Sequence, residues 1–304
     1  MPNELTCPNC GSVYDVSELP GLSTFNCPKC QTLLRIPGKF GPYLLDLQCG
    51  IGGTSHIYRA RDSRNGDIVA VKILKNNYVT AGKNPFQREI SLLETLPDIP
   101  GMVPILEYGV IAKRPFMAMP FYPGGDAEKR RRAHTLPPVK TLFNVFYELA
   151  ETLGKLHEFH VSHHDIKSSN IFFDAEDRAF LGDLDVADFR ADGDRSTPCL
   201  NWVSPAYSSP EKLENGSEDF KGDVFSLGVT AYELLCDRRP FSVKGDVYDL
   251  LDERRRRAFP TPHQDRPDFS QELSDLIMSM MEFDPDMRPD YPEISVVFKL
   301  LAEA

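Results

Sequence analysis

Residues 163–173 read HHDIKSSNIFF, and residues 182–189 read GDLDVADF. The first stretch gathers a carboxylate, an ammonium and a side-chain amide on one short loop, at Asp165, Lys167 and Asn170. A second carboxylate, Asp183, follows a hydrophobic, strand-like run. Two acidic side chains and an amide that converge suit a divalent cation carrying phosphates, and a lysine among them suits the phosphate itself. The apolar residues 171–173 indicate that this loop is attached to a core, which an ordinary polar surface loop would not require.

The composition is that of a globular protein with a sizeable core. The chain has 304 residues, of which 41% are hydrophobic, a length that corresponds to about two domains. Its net charge of −11 argues against a general binder of nucleic acids or membrane surfaces. We find no transmembrane segment or signal core, so we expect a cytoplasmic protein. Two basic runs, Lys129–Arg132 and Arg254–Arg257, are interpreted as solvated helix faces.

Four of the seven cysteines form a metal-binding pattern near the N-terminus. They are Cys7, Cys10, Cys27 and Cys30, arranged as two Cys-x-x-Cys pairs. Two such pairs complete a tetrahedral site of four thiolates, which favours Zn²⁺. A redox-active pair would need a βαβ context, which is absent. Residues 1–37 are therefore predicted to be a zinc ribbon whose metal supplies much of the folding energy, with structural support or partner docking as its role. The other cysteines, Cys49, Cys199 and Cys236, look like isolated small residues.

The segment after the cysteines contains a glycine-rich turn and two candidate charged residues. Gly50, Gly52 and Gly53 lie between two strand-like runs. This argues against a dinucleotide fingerprint and a Walker loop, since both need a strand, a loop and a helix. Lys72 interrupts an apolar strand, so its ammonium must reach solvent or meet an anion. Glu89 lies in a stretch with helical apolar spacing and can project from that helix toward the strands.

The order of these motifs resembles the protein-kinase family, specifically the bacterial Ser/Thr kinases that resemble eukaryotic ones. The resemblance covers residues 43–304 and includes VAVK at 69–72, SPAYSSPE at 204–211 and DPDMRP at 284–289. It implies an α+β, bilobal kinase fold after the ribbon, with an N-lobe at 43–122, a C-lobe at 123–304 and ATP in the cleft. Residues 37–42 are expected to be a linker.

The resemblance implies an ATP- and Mg²⁺-dependent enzyme that phosphorylates Ser or Thr hydroxyls of protein substrates. Lys72 would grip the α- and β-phosphates, and Glu89 would hold Lys72 in place. Asp165 would orient the acceptor hydroxyl and take its proton, while Lys167 would neutralise charge on the transferred group. The hydroxyl of Ser204 can bond both Asp165 and Lys167.

Further residues are implied to bind the nucleotide, the metal or the catalytic loop. Asn170 and Asp183 would hold Mg²⁺. Pro120 would accept from the adenine amino group through its carbonyl, although it has no N–H to donate. The other nucleotide contacts implied are Gly50, Gly52, Gly53, Ser55, Ala70, Tyr122 and Asp126. The structural matches implied are an ion pair between Glu211 and Arg288 and a bracing of the catalytic loop by Asp223.

Two departures from the family pattern concern regulation. His164 replaces an arginine that normally receives an activation-loop phosphate, and a neutral imidazole is a weak phosphate partner. Asp185 replaces the glycine of the metal motif, which hinders movement of this backbone. We therefore expect little dependence on phosphorylation at Ser196 or Thr197, unless Arg190 or Arg195 on the same segment takes the place of the missing cation. A pseudokinase, or a nucleotide-binding scaffold whose ribbon is the active part, remains the alternative.

Overall fold

The structure is a computed structural model that describes residues 4–7, 9–16, 18–19, 21–75, 77–78, 86–184, 187–189, 204–216, 219–241 and 246–304. The chain forms two compact units. The first comprises Met1–Ile90 and Pro104–Phe121, and the second comprises Ser91–Val103 and Tyr122–Ala304. The domain limits expected from the sequence, 1–37 and 43–304, stay predictions.

The cysteine pairs lie in the turns of two small hairpins. Strand β1 (Glu4–Thr6) pairs antiparallel with β2 (Val13–Asp15). Strand β3 (Thr24–Asn26) pairs in the same way with β4 (Leu33–Arg35). Each turn therefore carries one Cys-x-x-Cys pair, and the two turns have the same construction.

The first unit also contains a six-stranded antiparallel sheet with the order β5-β6-β7-β8-β10-β9. Its strands are β5 (Gly38–Phe40), β6 (Tyr43–Ile51), β7 (Ser55–Asp62), β8 (Ile68–Leu74), β9 (Glu107–Ile111) and β10 (Arg114–Pro120). Residues expected as a linker thus provide the edge strand β5. Gly41, with φ of 57°, reverses the chain there, so that Gly38 pairs with Leu45 in a short hairpin.

The sheet buries apolar side chains on both faces because its strands alternate. One cluster contains Tyr43, Leu45 and Phe116. The other contains Leu74 and Met117 together with Phe86 at the start of helix α1 (Phe86–Thr95). A slip of β8 by one residue would move Lys72 into the apolar cluster that contains Val71 and Ile73, and this penalty specifies the register.

The second unit is mainly helical. Its helices after α1 are α2 (Ala127–Arg132), α3 (Val139–Glu158), α4 (Pro210–Asn215), α5 (Phe220–Cys236), α6 (Val247–Arg256), α7 (Pro262–Asp265), α8 (Gln271–Met280) and α9 (Tyr291–Glu303). Its short strands are β11 (Gly125–Asp126), β12 (Val161–Ser162), β13 (Ile171–Phe173), β14 (Ala179–Leu181) and β15 (Asp188–Phe189). Helix α5 is buried along nearly its whole length, and α3 packs against α9 through Phe146 and Phe298 with ring centroids 5.2 Å apart.

The predicted α+β class, with a small antiparallel sheet and a helical lobe, is confirmed. One interpretation is wrong: Arg254 of the basic run is buried, so this run is not simply a solvated helix face. Asp185, Arg190, Arg195, Ser196, Thr197 and Cys199 lie outside the described residues. Among the helices that the structure describes, none is both long and apolar enough to cross a membrane.

Candidate active site

A buried ion pair lies within the sheet unit. Lys72 on β8 and Glu89 on α1 bring Nζ and Oε2 to 3.0 Å, and their side chains are 5% and 6% exposed. The ring of Phe86 lies 5.4 Å from the ammonium. Two buried charges need good mutual geometry to offset their lost hydration. The expected pairing is confirmed, and it holds the ammonium of Lys72 at a fixed place.

The glycine turn between β6 and β7 is held by a lysine that the motif analysis did not identify. The N–H of Gly52 donates to the carbonyl of Ser55 at 2.9 Å. Lys75 donates from Nζ to the carbonyls of Gly52 at 2.6 Å and Gly53 at 3.0 Å. A trans peptide directs its N–H opposite to its C=O, so the N–H groups of Gly53 and Thr54 point away from Lys75. Outward N–H groups of this kind suit an anion.

The catalytic-loop candidate is fixed at both ends. Asp223, near the start of α5, accepts the backbone N–H groups of His163 at 2.6 Å and His164 at 2.7 Å. At the other end, Asn170 closes a 3₁₀ turn that leads directly into β13, whose residues Ile171 and Phe173 are fully buried. The bracing by Asp223 that the resemblance implied is confirmed.

Three side chains of the second unit converge on one carboxylate, that of Asp165. Lys167 Nζ donates to Oδ2 of Asp165 at 2.6 Å, and Asn170 Nδ2 donates to the same oxygen at 3.0 Å. The hydroxyl of Ser204 donates to Oδ1 of Asp165 at 3.3 Å and accepts from Lys167 at 3.1 Å. Both predicted bonds of Ser204 are therefore present. Burial raises the pKa of Asp165 above its ordinary range, and the charge of Lys167 opposes this shift.

The neighbouring His163 connects this loop to the segment that carries Asp183. Its Nδ1 accepts the N–H of Asp165 at 3.3 Å, so its Nε2 carries the proton and donates to the carbonyl of Gly182 at 3.2 Å. The ring is fully buried, and this desolvation lowers the pKa of His163 to about 4. Asp183 follows with φ of 74°, a conformation that Asp tolerates better than most residues. His163 is therefore a packing residue of this loop.

A second polar network beside the catalytic loop was missed by sequence reasoning. Ser168 and Tyr207 both donate hydroxyl hydrogens to Oε2 of the fully buried Glu233, at 2.8 and 2.5 Å. Arg239 donates to the other oxygen of Glu233 at 2.9 Å. Burial and the adjacent carboxylate raise the pKa of Tyr207 well above its usual range. The network connects α5 to Ser168 after Lys167 and to Tyr207 after Ser204. The only signal for it in the sequence is the charged Glu233 within the apolar run of α5.

The other structural match implied by the resemblance is also present. Arg288 donates from both terminal nitrogens to the two carboxylate oxygens of Glu211, at 2.7 and 2.8 Å. This two-pronged geometry is the strong form of an arginine–carboxylate contact. It secures the start of α4 directly after the segment that begins at Ser204.

The residues expected to contact adenine and ribose have separate local settings. Ala70 and Pro120 lie on the paired strands β8 and β10, with Pro120 opposite Val69. In the second unit, Tyr122 packs against Phe180 with ring centroids 4.6 Å apart. Asp126 caps α2 by accepting from the N–H of Lys129 at 2.8 Å. The nucleotide contacts of these four residues stay predictions, as do those of the glycine turn.

The four N-terminal thiols meet the geometric demands of a metal site. All four Sγ atoms lie within 4.8 Å of one another, and the pairs Cys7–Cys30 and Cys10–Cys27 are both 3.6 Å apart. Bonds of about 2.3 Å to Zn²⁺ place tetrahedral sulfurs roughly 3.8 Å apart, so these thiols fit the ion. The hydroxyl and N–H of Thr32 lower the pKa of Cys30 to about 5, which favours a thiolate. Burial raises the pKa of Cys7 to about 11, so that thiolate would need the charge of a bound cation.

A family model for the protein kinase domain matches residues 43–296 of this sequence. The chain belongs to the protein kinase family. The match begins where β6 begins and includes Lys72, Glu89, Asp165 and Asn170. The match therefore covers strands β6 to β10 and the helical unit up to residue 296, while β5 and the four-cysteine hairpins precede it.

Similar proteins include both eukaryotic and bacterial kinases. Over 261 residues, or 84% of the chain, the sequence is 27% identical to serine/threonine-protein kinase ULK3 of Xenopus laevis, covering 55% of that protein. Over 257 residues, or 82% of the chain, it is 28% identical to serine/threonine-protein kinase PknE of Mycobacterium tuberculosis, covering 44% of it. Over 253 residues, or 82%, it is 26% identical to the DNA damage-responsive serine/threonine-protein kinase RqkA of Deinococcus radiodurans, covering 38%. The chain thus spans about half or less of the length of these relatives.

Proposed function

We propose that this kinase domain transfers the γ-phosphate of ATP, with Mg²⁺, to Ser or Thr hydroxyls of protein substrates. The observation that carries the proposal is the cluster of Asp165, Lys167 and Ser204. It contains an aliphatic hydroxyl held between a carboxylate and an ammonium, at 3.3 and 3.1 Å. An acceptor Ser or Thr presents the same aliphatic hydroxyl as Ser204, so Asp165 and Lys167 are suited to bind it.

Each residue of the cluster has a separate proposed role. Asp165 would orient the acceptor hydroxyl and receive its proton, and its raised pKa makes it a better base than an exposed carboxylate would be. Lys167 would offset negative charge where the phosphoryl group moves. Asn170 donates its amide to Asp165, at 3.0 Å, which orients its carbonyl oxygen as a ligand of the kind that Mg²⁺ prefers.

The sheet unit would supply the phosphate-binding part. Lys72, fixed by Glu89 at 3.0 Å, would hold the α- and β-phosphates, and the N–H groups beside Gly53 would cover them. Asp183 would be the second protein ligand to Mg²⁺. When bound, ATP provides the phosphoryl group and Mg²⁺ reduces its negative charge. Pro120, Tyr122, Ala70 and Asp126 would form the remaining nucleotide contacts.

We further propose that Cys7, Cys10, Cys27 and Cys30 hold a structural Zn²⁺, as a ribbon over residues 1–37. Four thiolates leave no open coordination position, so this ion would supply folding energy rather than catalysis. Docking of a protein partner is the other role that such a ribbon can have.

The test of the kinase proposal is the initial rate of transfer from γ-labelled ATP to dephosphorylated casein, with ATP binding measured separately. Asp165→Asn should still bind ATP but lose transfer by about a thousandfold or more, because the hydroxyl loses its base. Glu176→Gln, which removes an exposed carboxylate of the same unit, is the matched control and should transfer at the wild-type rate. ATP binding by the wild type without transfer would instead identify a nucleotide-binding scaffold.

A further inference from the structure

Arg254 is the largest side chain that is almost completely buried in the described part of the molecule, with 1% exposure. It lies on α6, inside the basic run of residues 254–257. It forms no ion pair with any residue that the structure describes. The charge of the preceding residue, Glu253, attracts the guanidinium without forming an ion pair. Other contacts must therefore offset the lost hydration, which costs several kcal/mol.

The guanidinium is compensated by backbone carbonyls and aromatic rings. Nε donates to the carbonyl of Ser208 at 2.9 Å, and Nη2 donates to the carbonyl of Pro205 at 2.5 Å. Nη1 donates to Leu250 within α6 at 2.9 Å. The ring of Phe241 lies 4.7 Å from the guanidinium carbon. These contacts use the fork of an arginine, which a single ammonium cannot reproduce. Burial lowers the pKa of Arg254 to about 10, so the group stays charged at neutral pH.

The carbonyls of Pro205 and Ser208 belong to the segment 204–209. This segment begins at Ser204, whose hydroxyl is part of the Asp165 cluster. Other bonds hold the same segment: Tyr207 N–H and the Ser208 hydroxyl donate to the carbonyl of Ser204, at 2.9 and 3.2 Å. Ser226 donates to the carbonyl of Tyr207 at 2.9 Å. Arg254 therefore binds the carbonyls of Pro205 and Ser208, whereas other groups bind those of Ser204 and Tyr207.

This segment forms one wall of a cavity of about 220 Å³ within the second unit. Pro205, Ala206 and Tyr207 line that wall, and Lys167 and Arg239 line the remainder together with other residues. The cavity lies beside the cluster proposed to hold the acceptor hydroxyl, because Lys167 and Ser204 belong to both. Arg254 binds the backbone of this wall at Pro205 and directly after it at Ser208, and these bonds help to fix its shape.

We propose that Arg254 is a positioning residue for the acceptor protein. It holds α6 against the wall formed by residues 205–207, so that the chain around an acceptor hydroxyl meets a preformed surface. The proposal rests on the proposed kinase function. It assigns Arg254 to acceptor recognition and not to ATP binding. Among the described residues, its contacts are confined to the segment 204–209, to α6 and to aromatic rings of α5 and of the loop that follows α5.

The experiment compares Arg254→Lys with Arg255→Lys, the neighbouring arginine that is 67% exposed. With casein as acceptor, we expect Arg254→Lys to raise KM for casein at least tenfold and to leave KM for ATP within twofold. Hydrogen exchange at the amides of residues 206–209 should accelerate in the same variant. Arg255→Lys should match the wild type in all three measurements.

The outcomes separate the two proposals. Unchanged KM for casein in a folded, active Arg254→Lys overturns the positioning role, and so does a parallel loss for ATP and casein. If the wild type transfers no phosphate, the kinase function is wrong. Accelerated hydrogen exchange at residues 206–209 in Arg254→Lys would still support the role of Arg254 in holding this segment. Arg254→Gln, which is neutral and keeps one amide donor, is the second variant. If neither variant folds, Arg254 is a structural residue only and the proposal is overturned.

Discussion

The four-cysteine hairpins and the helical unit differ in how their functional polar groups relate to the buried core. The buried core of the hairpins consists of Cys7, Cys27 and Leu34, so the candidate metal ligands are themselves most of that core. In the helical unit, a large apolar core surrounds Asp165 and its partners. The two regions should therefore respond differently to mutation. Removing a metal ligand should unfold the hairpins, whereas removing a polar group of the Asp165 cluster should lower the rate of phosphate transfer and leave the helical unit folded.

The largest effect is expected in the hairpins. Cys7→Ser combined with Cys10→Ser should abolish binding of zinc, whose contribution to folding is about 10 kcal/mol in small domains of this kind. The hairpins should lose hydrogen-exchange protection, while the helical unit keeps its own. Elemental analysis and exchange by mass spectrometry check both parts.

A matched control for this change is Cys236→Ser, which removes a thiol from α5 and should leave the zinc content at about one ion per chain. The strands β5 and β6 should lose some protection in the double variant, since Leu22 packs against the cluster around Tyr43. If wild-type protein purified without chelators contains no metal, the proposed zinc site is wrong.

The next effect concerns acid stability of the helical unit. The folded pKa of His163 is about 4, below its ordinary value of about 6.5. Between these values the unfolded chain binds a proton that the folded chain does not, so stability is full above pH 6.5 and falls as the pH drops toward 4. The loss amounts to about 3 kcal/mol.

Hydrogen exchange at β13 between pH 7 and 5 measures the part of this loss that falls above pH 5, about 2 kcal/mol. In His163→Gln, the acid-dependent part of the loss should be smaller, because the group that titrates on unfolding is gone. His134→Gln, at a histidine that is 79% exposed, should retain the wild-type dependence. Identical slopes for all three proteins would show that His163 is not responsible.

A smaller effect is expected from the hydroxyl in the Asp165 cluster. Ser204→Ala removes its bonds to Asp165 and Lys167 and should lower kcat roughly tenfold, or about 1.4 kcal/mol. Ser204→Thr keeps the hydroxyl and should remain within about threefold of the wild type. Thermal unfolding of both variants should match the wild type, and a large loss of stability in Ser204→Ala would contradict the view that this unit separates chemistry from folding.

The smallest effect concerns the activation segment. His164 offers no guanidinium to a loop phosphate, and its backbone is already engaged by Asp223 at 2.7 Å and by Lys212 at 2.6 Å. Ser196→Ala combined with Thr197→Ala, or phosphatase treatment, should therefore change the initial rate by less than about tenfold. A larger fall would show that a phosphate on this segment activates the kinase, with Arg190 or Arg195 as the candidate cations.

The sequence predicted those parts of the site whose residue types carry the chemistry. Lys72, Glu89, Asp165 and Asn170 are charged or amide side chains at spacings that few structures share, so their pairings could be anticipated. The roles of Arg254 and Lys75 could not, because both bind backbone carbonyls, which leave no pattern in the sequence. Strand β5 was hidden for a related reason: its flanking Gly and Pro residues are equally typical of linkers, and only its pairing with β6 makes it a strand.

The most direct test of the account uses three peptides of one sequence that differ only in a central Ser, Tyr or Ala. The purified chain is incubated with γ-labelled ATP and Mg²⁺, and the label on each peptide is measured together with ATP binding. The account predicts label on the Ser peptide, dependent on Asp165, and only background label on the Tyr and Ala peptides. ATP binding without label on the Ser peptide, or on a dephosphorylated casein control, would contradict it.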